Sequence, residues 1–132
     1  MTIYALSTGS GISGLAVIRV SGNETSKVIK LLTKTKLPEP RMASMRKINN
    51  INTSELIDEG IILWFPGPES YTGEDMAEFQ VHGGRAVIEA LLNSISQIEN
   101  CRLAEPGEFT RLAFQNGKIN LLKAESIADL IS

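Results

Sequence analysis

The sequence predicts one domain of mixed α and β structure, a small sheet packed with about four helices. Six short segments read as strands, and four others repeat apolar residues at helical spacing. The length of 132 residues falls within the ~100–200 expected for a single domain with a real core.

Two β-type runs, residues 2–7 and 15–21, flank a glycine-rich connection and predict a hairpin. Ser21, Gly22, Asn23 and Glu24 then have the S-x-x-E spacing of a capping box. Val28, Ile29, Leu31 and Leu32 supply an apolar stripe, so a helix is expected to about Thr33, ended by Leu37-Pro38-Glu39-Pro40. Residues 43–49 and 56–65 read as strands around a polar turn. The unbroken apolar run from Gly60 to Phe65 predicts a central strand covered on both faces.

The stretch Phe65 to Gly84 is the most informative. A turn-rich segment feeds a strand on which Ala77, Phe79 and Val81 share a core face, while Met76, Glu78, Gln80 and His82 share the other. That second face either meets water or lines a ligand site. Val87, Ile88, Leu91, Leu92, Ile95 and Ile98 then predict a helix over 84–97. Residues 101–104 read as a short strand. Pro106 is placed for the first turn of a helix with Phe109, Leu112 and Ala113 on its inner face and a C-cap at Asn116-Gly117. Asn120 can cap a last helix, whose stripe stops at Ser132 without a C-cap glycine or polar tail and points to a fragment of a longer protein.

A formal net charge of −2 gives no basic excess for a phosphate backbone. The richest basic stretch, Arg41 to Lys47, reads as a solvated edge strand. The single cysteine, Cys101, excludes an intrachain disulfide and is expected to fill core space. With one histidine and neither HExxH nor paired CxxC, no metal site is expected. No signal sequence or apolar membrane span is present, so a soluble cytoplasmic protein is expected.

Gly9 to Gly14 matches G-x-G-x-x-G, but a β-type run follows it where the dinucleotide fingerprint needs a helix; it reads as a hairpin loop. No G-x-x-x-x-G-K-[ST] phosphate loop occurs. Arg19 interrupts an apolar strand, and a guanidinium held there needs a partner or a cleft mouth. Glu78 is the candidate partner. The two form either a structural ion pair or a pair of ligand contacts, with Glu78 accepting from the N–H donors of a heterocycle and Arg19 meeting a polar ring edge or carboxylate. Lys118 reads as a solvated lysine between two short helices. His82 reads as a hydrogen-bonded residue beside a helix N-terminus, since no nucleophile stands at a suggestive spacing.

The motifs A-V-I-R-V-S-G at 16–22, L-W-F-P-G-P-E-S-Y-T-G-E-D at 63–75, E-F-Q-V-H-G-G at 78–84, A-E-P-G-E-F-T at 104–110 and F-Q-N-G-K-I-N-L at 114–121 closely resemble the N-terminal domain of the tRNA-modifying GTPases called MnmE or TrmE. The resemblance covers essentially the whole chain. It implies an α+β folate-binding domain of the aminomethyltransferase type over residues 1–118, which dimerises and binds a formyl- or methylene-tetrahydrofolate. Residues 119–132 would begin the helical domain of the parent protein.

The resemblance also implies that Arg19, Glu78 and Lys118 contact the folate, and that the folate supplies a one-carbon unit. The parent would hydrolyse GTP with potassium and magnesium in a separate G domain and, with the FAD protein MnmG, modify the wobble uridine of tRNA. The chain itself is expected to be non-catalytic and not to bind tRNA tightly alone. Departures from the family pattern fall at the loop Gly9 to Gly14, at Leu112 and at Asn120. Two other readings stay open: a purely structural dimerisation module, and an autonomous folate-dependent one-carbon transferase.

Overall fold

The computed structural model describes residues 1–7 and 14–120. In chain order the elements are β1 (Thr2–Leu6), β2 (Leu15–Ser21), α1 (Thr25–Thr33), β3 (Ser44–Asn49), β4 (Leu56–Phe65), β5 (Met76–His82), α2 (Arg85–Ser96), β6 (Cys101–Leu103) and α3 (Glu108–Gln115). The strands make one sheet in the order β3-β4-β5-β2-β1-β6. All pairings are antiparallel except β1 with β6, which makes the sheet mixed and the fold α+β.

Register explains the core. Tyr4, Val20, Ala77 and Trp64 lie in one row across four strands, and Leu6, Ile18, Phe79 and Ile62 in the next. Val28, Ile29 and Leu32 of α1 and Ile88, Leu91 and Ile95 of α2 close over these rows in a single apolar cluster. Phe79, Ile18, Ile62, Ile29 and Leu91 are fully buried, each stabilising the fold by about 1.5–3 kcal/mol relative to exposure. Both helices therefore cover the same face. The opposite face carries Arg19, Glu78, Gln80, Ile61 and Leu63, and among the described residues it is covered at one end, by α3 and the 66–75 loop.

Several expectations are corrected by this arrangement. The capping box does not form, because Ser21 belongs to β2, paired opposite Met76. Its hydroxyl bonds to the Thr72 hydroxyl and donates to Glu74 Oε1, both at 2.8 Å. The start of α1 is held instead by Thr2, whose Oγ1 accepts from the Glu24 N–H at 2.8 Å, and by the Thr25 hydroxyl, which donates to the Gly22 carbonyl. The helix ends at Lys34, in the left-handed conformation at φ 57°, before the prolines are reached.

In β4 the apolar run alternates: Gly60, Ile62 and Trp64 are buried, while Ile61, Leu63 and Phe65 are half-buried. One-sided helix cover is the reason. Helix α3 starts after Gly107 (φ 73°), two residues beyond Pro106. Cys101 is half-buried at the edge of the core, and burial pushes its thiol pKa up. Three helices occur among the described residues; the expected fourth, and the glycine-rich loop over 8–13, lie outside them. No helix among the described residues is long and apolar enough to cross a membrane.

Candidate functional site

Pairing places Arg19 directly opposite Ala5 on one side and Glu78 on the other. All three side chains point to the open face of the sheet, where α3 and the 66–75 loop rise above them. The result is a cleft of about 580 Å³. Its floor is Ala5 and Arg19, with Leu6 and Ser7 lining it at the end of β1; its walls are Tyr71, residues 104–107, Phe109 and Thr110. This is within the size range of small-molecule sites, and most of its lining is apolar.

Arg19 is the one cation in that lining. Its Nη2 lies 3.4 Å from Glu78 Oε2, with the side chains 29% and 22% exposed. The guanidinium carbon sits 5.6 Å from the Tyr71 ring centroid and 5.9 Å from that of Phe109, within cation–π range of both. Its Nε is buried with no hydrogen-bond partner, the only such side-chain atom found among the described residues. A buried guanidinium N–H without an acceptor costs free energy, so this one marks where a ligand oxygen or nitrogen is wanted.

The walls are fixed by polar contacts. Tyr71 Oη and Thr110 Oγ1 lie 3.2 Å apart and tie the loop to α3. Asn116 Nδ2 donates to the Thr72 carbonyl at 2.6 Å. On the far wall, Arg102 grips the buried Glu108 carboxylate with two bonds of 2.8 and 2.5 Å, while the Glu105 N–H donates to the same carboxylate at 2.9 Å. The Arg102 hydrogen bonds hold the Glu108 carboxyl below its ordinary pKa of 4.5.

Of the three residues singled out from the sequence, the structure joins two. Glu78 touches Arg19 but is set back from the cleft lining. Lys118 is exposed and outside the lining, and its stem runs along the 66–75 loop: a Cβ on Gly73 would stand 3.3 Å from Lys118 Cε. Sequence reasoning missed Tyr71, Phe109 and Thr110 as site residues. Tyr71 and the A-E-P-G-E-F-T motif were both visible, but only the fold brings them to Arg19.

His82 lies away from the cleft, 73% exposed, with Nδ1 2.9 Å from Asp58 and its backbone N–H donating to the same carboxylate. Burial alone would raise the Asp58 pKa; the His82 N–H and ring outweigh it and bring the carboxyl below its ordinary value. The expected role of His82 as a hydrogen-bonded residue next to α2 fits this contact.

Comparison with known proteins adds the lineage. A family model described as the GTP-binding protein TrmE N-terminus matches residues 2–118. The chain is 80% identical over 132 residues to the tRNA modification GTPase MnmE of Pelagibacter ubique (strain HTCC1062), covering all of this chain and 30% of that protein. It is 53% identical over 131 residues to the tRNA modification GTPase MnmE of Rhizobium meliloti (strain 1021), covering 99% of this chain and 29% of the relative. It is also 51% identical over 130 residues to the mitochondrial 5-taurinomethyluridine-(tRNA) synthase subunit GTPB3 of Danio rerio, with 98% and 26% covered. The chain thus spans less than a third of the length of these relatives.

Proposed function

The chain belongs to the TrmE N-terminal family, and on that premise we propose that it is the folate-binding, dimer-forming module of a tRNA modification GTPase. The observation that carries the reading is Arg19: a guanidinium at the floor of an apolar cleft, within cation–π range of two aromatic rings, with a buried and unpartnered Nε. A flat heterocycle with a polar edge fits that setting. The pterin ring of a formyl- or methylene-tetrahydrofolate would lie between the Tyr71 and Phe109 side of the cleft and the 104–107 wall. Arg19 would donate to its carbonyl edge, and Glu78 would accept from its amino and ring N–H donors. Lys118, at the solvent side of the 66–75 loop, would meet the glutamate tail.

Bound folate supplies a one-carbon unit; the chain's own part is to bind and orient it. Residues 1–118 form this module, and 119–132 lead into the helical domain of the parent. GTP, potassium and magnesium belong to a G domain outside this chain, and the MnmG-type FAD protein and tRNA are partners of the parent in the cytoplasm. Homodimerisation is supported by the open sheet face, where Met45 is 62% exposed beside the half-buried apolar residues Ile61 and Leu63.

Calorimetric titration with formyl-tetrahydrofolate tests the reading. Micromolar binding by the chain, lost in a folded Glu78→Ala variant, is the expected result. Absence of heat from a folded wild-type chain would overturn self-contained binding, and unchanged affinity in Glu78→Ala would leave Arg19 and Glu78 a structural pair.

A further inference from the structure

The net charge of −2 conceals a segregation. Residues 25–57 hold seven of the chain's 13 Lys and Arg and only two of its 15 Asp and Glu, a local charge of +5 against −7 elsewhere. In the fold, four of those cations share one surface at the β3 edge, on the helical side of the sheet. Lys30 is exposed in the last turn of α1 and Lys34 is exposed at its left-handed C-cap, while Val28, Ile29 and Leu32 are buried. Lys34 reaches the Ser54 hydroxyl of the β3–β4 turn. Arg46 of β3 is tied to the connection after α1, with Nη1 donating to Thr35 Oγ1 at 2.6 Å and to the Lys36 carbonyl at 2.9 Å, while Nε donates to Ser44 Oγ at 2.8 Å. The Arg46 contacts thus hold the Lys36 backbone beside β3, with the Lys36 side chain exposed there.

None of these four cations joins an ion pair among the described residues, whereas Arg19, Arg85, Arg102 and Arg111 all do. Ordinary structural roles account for part of this. A lysine in the last turn complements the helix dipole, and charges on an edge strand deter sheet extension. Neither explains a cluster of like charges around an arginine whose fork is held rigid by three neutral acceptors. Such a cluster repels itself unless an anion meets it, and flexible lysines around a fixed guanidinium suit phosphates that are recognised by position and not by base.

We propose that this surface, formed by the end of α1, the 34–36 connection and Arg46, is an accessory contact for the phosphate backbone of RNA. The choice of RNA as the polyanion rests on the tRNA-modification reading; the surface itself lies on the opposite face and edge of the sheet from the folate cleft. Contact through about four phosphates is weak and salt-dependent, consistent with the absence of tight tRNA binding expected from overall charge.

Fluorescence anisotropy of labelled, unmodified tRNA, titrated with the full chain at several salt concentrations, tests this. At about 0.7–0.9 per phosphate, four contacts give a slope of log K against log salt near −3. The exposed-residue variant Lys30→Gln/Lys34→Gln/Lys36→Gln, checked for fold by circular dichroism, is expected to lower the slope to about −1 and weaken low-salt binding more than tenfold. The single variants Lys36→Gln and Arg85→Gln remove equal charge, and only the first is expected to weaken binding.

Equal loss in both single variants, an unchanged triple variant, or no salt-dependent binding by wild type would overturn the proposal. A chain that ignores tRNA but binds polyglutamate would overturn it in favour of an acidic protein partner. Folate titration of wild type and of the same triple variant separates the two sites: the proposal expects folate heat in both, and wild-type folate heat without wild-type RNA binding refutes this surface alone. RNA binding that the triple variant loses, with no folate heat from wild type, upholds the surface and refutes the cleft reading.

Discussion

Ser21→Ala discriminates between a local and a nonlocal role for one buried hydroxyl. In the structure Ser21 is fully buried, and its Oγ stands 2.8 Å from both Thr72 Oγ1 and Glu74 Oε1. The neutral bond contributes about 0.5–1.5 kcal/mol and the one to a charged carboxylate about 1.5–3. Removal of both, with Thr72 also fully buried, is therefore expected to cost about 2–4 kcal/mol. At about 4 °C per kcal/mol for a domain of this size, Tm falls by about 8–16 °C.

A capping box would put a comparable cost on its other member, so Glu24→Ala is the control. It is expected to cost less than about 0.5 kcal/mol, because Glu24 stands at the start of α1 without a side-chain cap bond. Urea unfolding followed by far-UV circular dichroism measures both. A Ser21→Ala variant within about 0.5 kcal/mol of wild type, or equal losses in the two variants, would show that the Ser21 contacts to Thr72 and Glu74 do not hold this corner of the fold.

Three further outcomes are expected. Gly22 has φ 138°, and a Cβ there would stand 2.6 Å from Thr2 Cα, so Gly22→Ala should cost about 2–5 kcal/mol in urea unfolding; a neutral substitution would show that β1 can shift. The Glu108 carboxyl is depressed in the folded state, so its contribution is full above the unfolded value near 4.5 and is lost as pH falls through the folded pKa. Glu108→Gln should therefore be less stable at neutral pH and show a shallower acid decline, and parallel stability–pH curves would contradict this. If the proposed homodimer forms through the open face, Met45→Glu should weaken it at least tenfold by sedimentation, and an unaffected dimer would place the interface elsewhere.

The strands were legible where one face had to be apolar. In β5 the alternation of Ala77, Phe79 and Val81 marks the core face, and a single register slip would expose all three. Arg19 stood out because a charge interrupts an apolar strand, and the same logic found Glu78. Ser21 was misread because S-x-x-E is a local signal, and pairing with β5 together with the Thr72 contact overrode it. The Gly60 to Phe65 run was read as doubly covered because sequence shows hydrophobicity but not which face the helices choose. Tyr71 and Phe109 are 38 residues apart in sequence, and no periodicity joins a loop to a helix across a strand; their meeting at Arg19 is a property of the fold alone. The basic surface was hidden for a similar reason, since Lys30 and Lys34 stand at the end of α1 and only the fold brings Arg46 of β3 to the connection that follows them.

The most direct test of the central claim is amide chemical-shift mapping of the chain on titration with formyl-tetrahydrofolate. The largest changes are expected at Ala5, Arg19, Tyr71, Gly107 and Phe109, around the cleft floor and walls. Saturable changes concentrated elsewhere, or none in a folded sample, would contradict a folate site built on Arg19.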